Sequence, residues 1–321
     1  MHTAMKGIYE TNLRLPHQTG FYRGKVRDVY EINYEYLLLV TTDRISAFDT
    51  VLSETIPHKG QVLTGISDYM FRLFREEVPS AWISTPDPNI LLMRKVRVYP
   101  VEVIIRRCLV GYAWRQYRTG GRLISGVMLP DGLIENDLIP EPIITPTTKS
   151  VIGHDVEISE REIVESGLVP RVHWEQIREY ALHLFKRGME IAERGGMILC
   201  DAKYEFGEWE GQVLLADEIH TPDSARYLKL EGYYERQKRQ DPQIHLTKEY
   251  VREWLMRQGF QGQPNATPPP LPPEIVGEAR ERYIEVYQRL MGQTFIPRSY
   301  DGDIMAEMQS RCEAAIASLP I

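Results

Sequence analysis

Few folds tolerate what residues 198–226 put together: ILCDAKYEFGEWEGQVLLADEIHTPDSAR carries Asp201, Glu205, Asp217 and Asp223 with Lys203 and Arg226 among them. Ile198, Leu199 and Cys200 form an apolar run, the pattern then alternates, Gly207 to Gly211 supplies turn residues, and Val213 to Ala216 is a second apolar run. The spacing predicts two strands joined by a tight connection, a hairpin ending in carboxylates. Carboxylates gathered at strand ends repel one another and lose solvation, so a fold retains them where a cation offsets them, usually Mg²⁺ bridging to phosphates. A solvated acidic hairpin is the plainer alternative for any one of these acids.

The 321 residues suit two lobes or one large α/β domain. A hydrophobic content of 43% and a charged content of 26% are those of a soluble globular protein. The net charge of -7 argues against a nucleic-acid partner, which would need a basic field, and leaves room for an anionic small molecule held in a local basic pocket. Cys108, Cys200 and Cys312 stand apart with no CxxC pairing, which points to neither a disulfide framework nor a zinc site. No apolar leader opens the sequence and no run approaches a membrane span, so the expectation is a cytoplasmic protein with no membrane partner.

Residues 21–42 read as two strands joined through Asn33-Tyr34-Glu35. Gly24-Lys25 falls in the first of them, with Lys25 and Arg27 on one face. A glycine followed by a cation suits a hairpin over polyphosphate, although the P-loop spacing is missing. DRISAFD (residues 43–49) is expected to be a polar loop at a strand end, with Asp43 and Ser46 available to a substrate. Residues 62–78 have the apolar spacing of a core helix. Residues 93–114 read as a strand, a break at Pro100 and a second strand; Glu102 is a candidate for a ribose hydroxyl and Arg106, by parity with Glu102, for an anion. Residues 120–158 are loop-rich and carry TPTTKS and GHD, with Lys149, His154 and Asp155, as a binding loop would. A long amphipathic helix over residues 172–196 feeds the acidic hairpin, and a helix over residues 246–259 puts Lys248 and Arg252 on one face. Residues 264–274 are a proline-rich spacer, and two helices close the chain.

GKVRDVY, DRISAFD, PVEVIIR, TPTTKS, GHD, DAKYEFG and DEIHTPDSAR, in this order over residues 20–292, resemble the phosphoribosylaminoimidazole-succinocarboxamide synthase (SAICAR synthetase) family. The resemblance implies a two-lobed α/β (α+β) fold related to ATP-grasp and kinase-like architecture, with mostly antiparallel sheets and flanking helices. The expected parts are residues 1–100 over the nucleotide, residues 101–263 for ATP, Mg²⁺ and substrate, and residues 264–321 as connector and C-terminal helices. It implies an ATP- and Mg²⁺-dependent ligase joining carboxyaminoimidazole ribotide to L-aspartate through an acyl phosphate, working as a monomer or homo-oligomer. Carried onto this sequence, Lys25, Arg27 and Glu102 would serve ATP, and Glu205 and Asp217 would serve both ATP and Mg²⁺. Asp201 and Lys203 would face the reacting carboxylate, Arg106 and Arg226 the ribotide phosphate, and Asp43, Ser46, Tyr112, Asp223, Lys248 and Arg252 the substrate side.

The chain departs from the family pattern at three places. Tyr112 stands where a serine would donate to the ribotide phosphate, Thr247-Lys248-Glu249 stands for Asp-Lys-Gln, and a helical extension follows Arg298. These changes fall on the acceptor side, so a paralogue ligating a related heterocyclic carboxylate to another amino acid is the alternative. A small-molecule kinase on the same nucleotide site is a further one. A catalytically silent nucleotide binder should lack Lys25, Glu205 or Asp217, and all are present.

Overall fold

The computed structural model describes residues 7–149 and 156–321; Ser150 and the GHD motif with His154 and Asp155 lie outside the described residues. It divides into two compact units. The first holds the described residues up to Arg72, with Ala81–Lys95 and Leu246–Ile321; the second holds Leu73–Ser80 and Val96–His245. The division after Lys95 precedes the expected one at residue 100, and residues 246–263 join the first unit rather than the second.

The first unit is built on β1 (Gln18–Arg23), β2 (Arg27–Ile32), β3 (Tyr36–Thr41), β4 (Arg44–Ala47), β5 (Thr50–Thr55), α1 (Lys59–Leu73), β6 (Trp82–Asp87) and β7 (Ile90–Arg94). Five of the strands form an antiparallel sheet in the order β1-β2-β3-β7-β6, while β4 and β5 pair with each other. Asn33 and Tyr34, at φ of 49 and 61, make the expected turn between β2 and β3. The run before it is two strands rather than one, because Gly24-Lys25-Val26 is a reversal, closed by Gly24 N–H donating to Arg27 O at 2.8 Å. Only Gly24 marks that turn in the sequence, too weak a signal to break the pattern.

DRISAFD is likewise corrected in its middle: Arg44–Ala47 is the mostly buried strand β4, and Phe48-Asp49 is the turn that follows it. Its polar content is paired inside the protein: the Arg44 guanidinium donates to the Asp28 carboxylate at 2.9 Å and to the carbonyls of Gly24 at 3.0 Å and Lys25 at 3.1 Å.

The second unit contains β8 (Arg97–Cys108), α2 (Gly111–Arg118), β9 (Leu123–Ile124), β10 (Val127–Met128), β11 (Leu138–Ile144), β12 (Thr147–Thr148), β13 (Val156–Glu157), α3 (Glu160–Glu165), α4 (Arg171–Arg194), β14 (Met197–Trp209), β15 (Gln212–Ala216), β16 (Ala225–Lys229) and α5 (Tyr233–Arg239). A seven-stranded sheet runs β13-β12-β8-β14-β15, with β11 also on β8 and β16 also on β14. The loop-rich region therefore supplies short strands, whose few residues and many prolines hid them. Pro100 does not break β8: it falls where the register with β14 shifts, between the Glu205–Glu102 and Gly207–Val98 pairs, so a residue without an N–H is accommodated there. The acidic hairpin turns at Glu210-Gly211 rather than from Gly207, which lies inside β14 with Val96 and the Arg97 carbonyl where a side chain would go. Beyond it, β16 lies along the same edge of β14 as β15.

Alternation decides which face of this sheet is core. Val101, Val103 and Ile105 on β8 and Ala202, Tyr204 and Phe206 on β14 are buried, and α4 packs on these strands with Trp174, Ile177, Leu184, Phe185 and Ile191. The opposite parity carries Glu102 and Arg106 on β8 and Asp201, Lys203 and Glu205 on β14.

Three helices return to the first unit: α6 (Glu249–Arg257), α7 (Pro273–Met291) and α8 (Ile304–Ala317). Met308, Cys312 and Ile316 of α8 join Tyr30, Ile32, Tyr36, Leu38, Ile90 and Leu92 in one core. The architecture is mixed α/β with antiparallel sheets and flanking helices. Among the described residues no helix is long and apolar enough to cross a membrane.

Candidate functional site

The charged face of the second sheet follows from register. Arg106 on β8 and Arg226 on β16 each stand opposite Asp201 on β14, and Glu205 stands opposite Glu102. Arg106 Nη1 donates to Asp201 Oδ2 at 2.9 Å and Arg226 Nη1 donates to the same oxygen at 2.5 Å. Arg106 Nε donates to the Thr145 hydroxyl at 2.9 Å. Burial pushes the Arg106 guanidinium down and Asp201 opposes this, so a guanidinium that keeps its proton in any case is held by a buried acid.

One step along the sheet, Lys203 Nζ donates to Glu102 Oε1 at 2.8 Å and to Glu205 Oε1 at 2.6 Å, and Lys149 pairs with the other oxygen of Glu205. Burial works against the charge on Lys203, but the Glu205 and Glu102 carboxylates outweigh it and raise the ammonium above its ordinary value. Burial likewise disfavours the Glu205 carboxylate, and Lys203 and Lys149 overcome that and hold it at about 2. The face thus reads acid, base, acid, base.

Arg226 also lies against the start of α2. Gly111, at φ +57, is where the chain enters that helix, and a side chain there would stand 2.6 Å from Arg226 Nη2. Arg106 and Arg226 share the Asp201 carboxylate, Glu157 and Arg115 also act on Arg106, and a helix N-terminus lies beside Arg226, a set of guanidiniums that can receive an anion. Tyr112 follows, more than a third exposed, its hydroxyl accepting from Gln116 Nε2 at 2.8 Å.

Asp217 comes directly after Ala216, the partner of Glu205 in register, and has a φ of 65. Among the described residues no group of three or more His, Cys, Asp or Glu forms a metal cluster. Glu205 and Asp217, one residue apart in register, are carboxylates of the kind that Mg²⁺ takes, since it keeps several waters and binds through one or two carboxylates plus substrate phosphates. Asp223 lies in the turn before β16, its N–H donating to the Thr221 hydroxyl at 3.3 Å.

In the first unit, Lys25 sits at the β1–β2 tip and pairs with Asp49, while Arg27 opens β2. Ser46 is the one position of β4 that is not buried. Asp43 is fully buried: its carboxylate accepts from Ile8 N at 2.8 Å, Gly60 N at 2.8 Å and the Tyr300 hydroxyl at 2.6 Å. Those bonds give Asp43 a scaffold role in place of the substrate contact expected of it, since the carboxylate holds three internal donors and has no exposed surface to offer a ligand. Lys248 is the N-cap residue before α6, and Arg252 Nη1 donates to Glu249 at 3.2 Å, so the departure to glutamate at 249 places a counter-charge on Arg252.

Two side chains escaped assignment from the sequence. Lys149 was visible only as a cation in a loop, and Thr145 only as one hydroxyl among several; TPTTK was the signal, and the pairing of β11 and β12 with β8 is what brings it to the acids. A cavity of about 580 Å³ in the first unit, lined by Gln61, Asp68, Arg72, Asp87, Tyr287 and Arg298 among others, includes none of the candidate residues.

A model of the SAICAR synthetase family matches residues 20–268. The chain is 48% identical over 293 residues to the phosphoribosylaminoimidazole-succinocarboxamide synthase of Bacteroides thetaiotaomicron, covering 91% of this chain and 93% of that protein. It is 47% identical to the synthase of the same name from Cytophaga hutchinsonii over 291 residues, covering 91% and 94%. Among solved structures it is similar to the Saccharomyces cerevisiae SAICAR synthase complexed with SAICAR, with a TM-score of 0.76, 32% identity and coverage of 90% of this chain and 99% of that one. A type-2 SAICAR synthetase in complex with ADP gives a TM-score of 0.66 at 25% identity, covering 86% and 100%. With the family pattern running through both units and the relatives matched over nine-tenths of their length, the chain belongs to the SAICAR synthetase family.

Proposed function

We propose that the protein is the ATP-dependent carbon–nitrogen ligase that joins the carboxylate of carboxyaminoimidazole ribotide to the amine of L-aspartate in purine biosynthesis. The observation that carries this reading is the interleaved charge on the second sheet, where Glu102, Lys203, Glu205 and Lys149 continue the Arg106–Asp201–Arg226 triad. A carboxylate is a poor acyl donor. In the reaction the ribotide carboxylate takes the terminal phosphoryl of ATP, releasing ADP; the aspartate amine then attacks the acyl carbon, phosphate leaves and the amine sheds a proton. Such transfer rests on positioning and on charge neutralisation.

Each residue has work in that scheme. Arg226 and Arg106 receive the ribotide phosphate. Both arginines donate to Oδ2 of Asp201, which keeps Oδ1 for the amine on the imidazole. Lys203 lies beside the reacting carboxylate and offsets its charge. Tyr112, Asp223, Ser46, Lys248 and Arg252 are assigned to the substrate side, and Lys25, Arg27 and Glu102 to the nucleotide. Glu205 and Asp217 would hold Mg²⁺, which when bound draws charge from the phosphate oxygens. The ionised state of Glu205 suits a metal ligand, and Lys203 and Lys149, which donate to its two oxygens, supply positive charge beside it for a phosphate. On this reading the enzyme works in the cytoplasm on small-molecule substrates.

The paralogous ligase is the weaker reading, since relatives sharing almost half of the sequence carry the synthase name. The test is turnover with ATP, Mg²⁺, the ribotide and L-aspartate. ADP, phosphate and the succinocarboxamide should form in equal amounts. No ADP at saturating ribotide would overturn the purine role, and a stable phosphorylated product with no need for an amine would point to a kinase.

A further inference from the structure

The tip of the β1–β2 hairpin is held from behind. All three of its carbonyls accept hydrogen bonds from the residues on either side of Asp43: Thr42 N and Oγ1 donate to Val26 O at 3.0 and 2.8 Å, and the Arg44 guanidinium donates to Gly24 O at 3.0 Å and Lys25 O at 3.1 Å. Asp43 therefore sets the position of the clamp on the tip that carries Lys25.

Asp43 in turn is held by a residue from the far end of the chain. Tyr300 donates to its Oδ2 at 2.6 Å, and the same hydroxyl accepts from His58 N at 3.1 Å and Gln61 Nε2 at 3.2 Å. The His58 ring lies on Tyr300 with centroids 4.7 Å apart. Two further contacts anchor this stretch: Arg298 N–H donates to Gln61 Oε1 at 2.8 Å, and the Arg298 guanidinium pairs with the buried Asp87. Residues 298–300 lie beyond the 20–268 stretch that matches the family model, yet they close a contact on a residue of the DRISAFD motif inside it.

We propose that Tyr300 is a positioning residue for the tip at residues 24–26, acting through Asp43, and so for the nucleotide contact assigned to Lys25. The proposal rests on that assignment of Lys25. With the Tyr300 hydroxyl removed, the Asp43 carboxylate loses one of three donors, and Thr42 and Arg44 are free to shift with it. The tip then samples positions in which the Lys25 ammonium is out of reach of a phosphate.

The test uses the full chain with Tyr300→Phe, Lys25→Ala and the double variant, measuring KM for ATP and for the ribotide, kcat, and amide hydrogen exchange at residues 24–26. Loss of one hydrogen bond to a carboxylate caps the expected rise in KM for ATP in Tyr300→Phe at about tenfold. KM for the ribotide should stay unchanged, exchange at the tip should quicken, and the double variant should be no worse than Lys25→Ala. Additive effects in the double variant, or a lowered melting temperature with KM for ATP and tip exchange unmoved, would overturn the proposal. If Lys25→Ala leaves KM for ATP unchanged, the nucleotide assignment fails, and tip exchange in Tyr300→Phe still decides whether the tyrosine positions the tip. Should Tyr300→Phe not fold, Gln61→Met removes a donor to the same hydroxyl and must quicken the same amides; slow exchange there sinks the idea.

Discussion

Glu205 shows how much one carboxylate can be asked to do. It is buried, ionised and shared between Lys203 and Lys149, so replacing it with glutamine keeps the shape and removes the charge. Glu205→Gln is expected to cut turnover by about a hundredfold or more, as loss of a metal ligand does, and to weaken Mn²⁺ binding measured by titration on the same variant. Near-normal values of both would show the metal to lie elsewhere. His220 is a different kind of buried group. Its Nε2 meets the Tyr204 hydroxyl at 2.7 Å, and burial holds the imidazole far below its ordinary value of 6.5, at about 3. The unfolded chain therefore takes up that proton first, so the contribution of His220 to stability is complete above 6.5 and is lost as the pH falls toward 3. His220→Gln should flatten the fall in urea midpoint across this window; an unchanged slope would assign the acid sensitivity to other groups.

Helix α2 owes its role to its first residue. Gly111 combines a φ of +57 with a neighbour, Arg226, that would lie 2.6 Å from an added side chain. Gly111→Ala carries a strain of about 1–2 kcal/mol from the left-handed backbone and pushes the guanidinium away. The expected result is a higher KM for the ribotide with KM for ATP unchanged, read from initial rates. A change confined to ATP would contradict the assignment of Arg226 to the ribotide phosphate. β14 makes the complementary point among strands. Its alternation was legible from residues 198–209, and with it the shared face of Asp201, Lys203 and Glu205, because side-chain direction in a strand is a local property. Its partners on either edge were not legible, because pairing joins residues far apart in sequence: Arg106 with Asp201, and TPTTK with β8.

At the largest scale, the first unit is tied together by the end of the chain. The segment after Gly292 closes the first unit, with Met308, Cys312 and Ile316 filling one side of the sheet core and Arg298 and Arg311 neutralising the buried Asp87. Ending the chain at Gly292 would expose that apolar face, at about 2 kcal/mol for each large side chain, and leave Asp87 without its arginines. The truncated protein is expected to melt earlier and to be cut by protease in residues 18–41 sooner than the intact one. Equal resistance would show the segment to be dispensable for the fold.

Motif chemistry was written locally. The acids and cations of residues 198–226, the Lys25 hairpin and the family pattern all depend on residue type and short spacing, and they led to a nucleotide-using ligase with antiparallel sheets. Where the polar residues of DRISAFD go could not be read that way. Asp43 and Arg44 look like loop residues until their partners arrive from Ile8, Asp28, Gly60 and Tyr300, and burial of a charge is a property of the partners as much as of the residue. For the same reason Lys149 became a neighbour of Glu205 only when the chain had folded: local spacing sets where a side chain points, and long-range pairing sets what it meets.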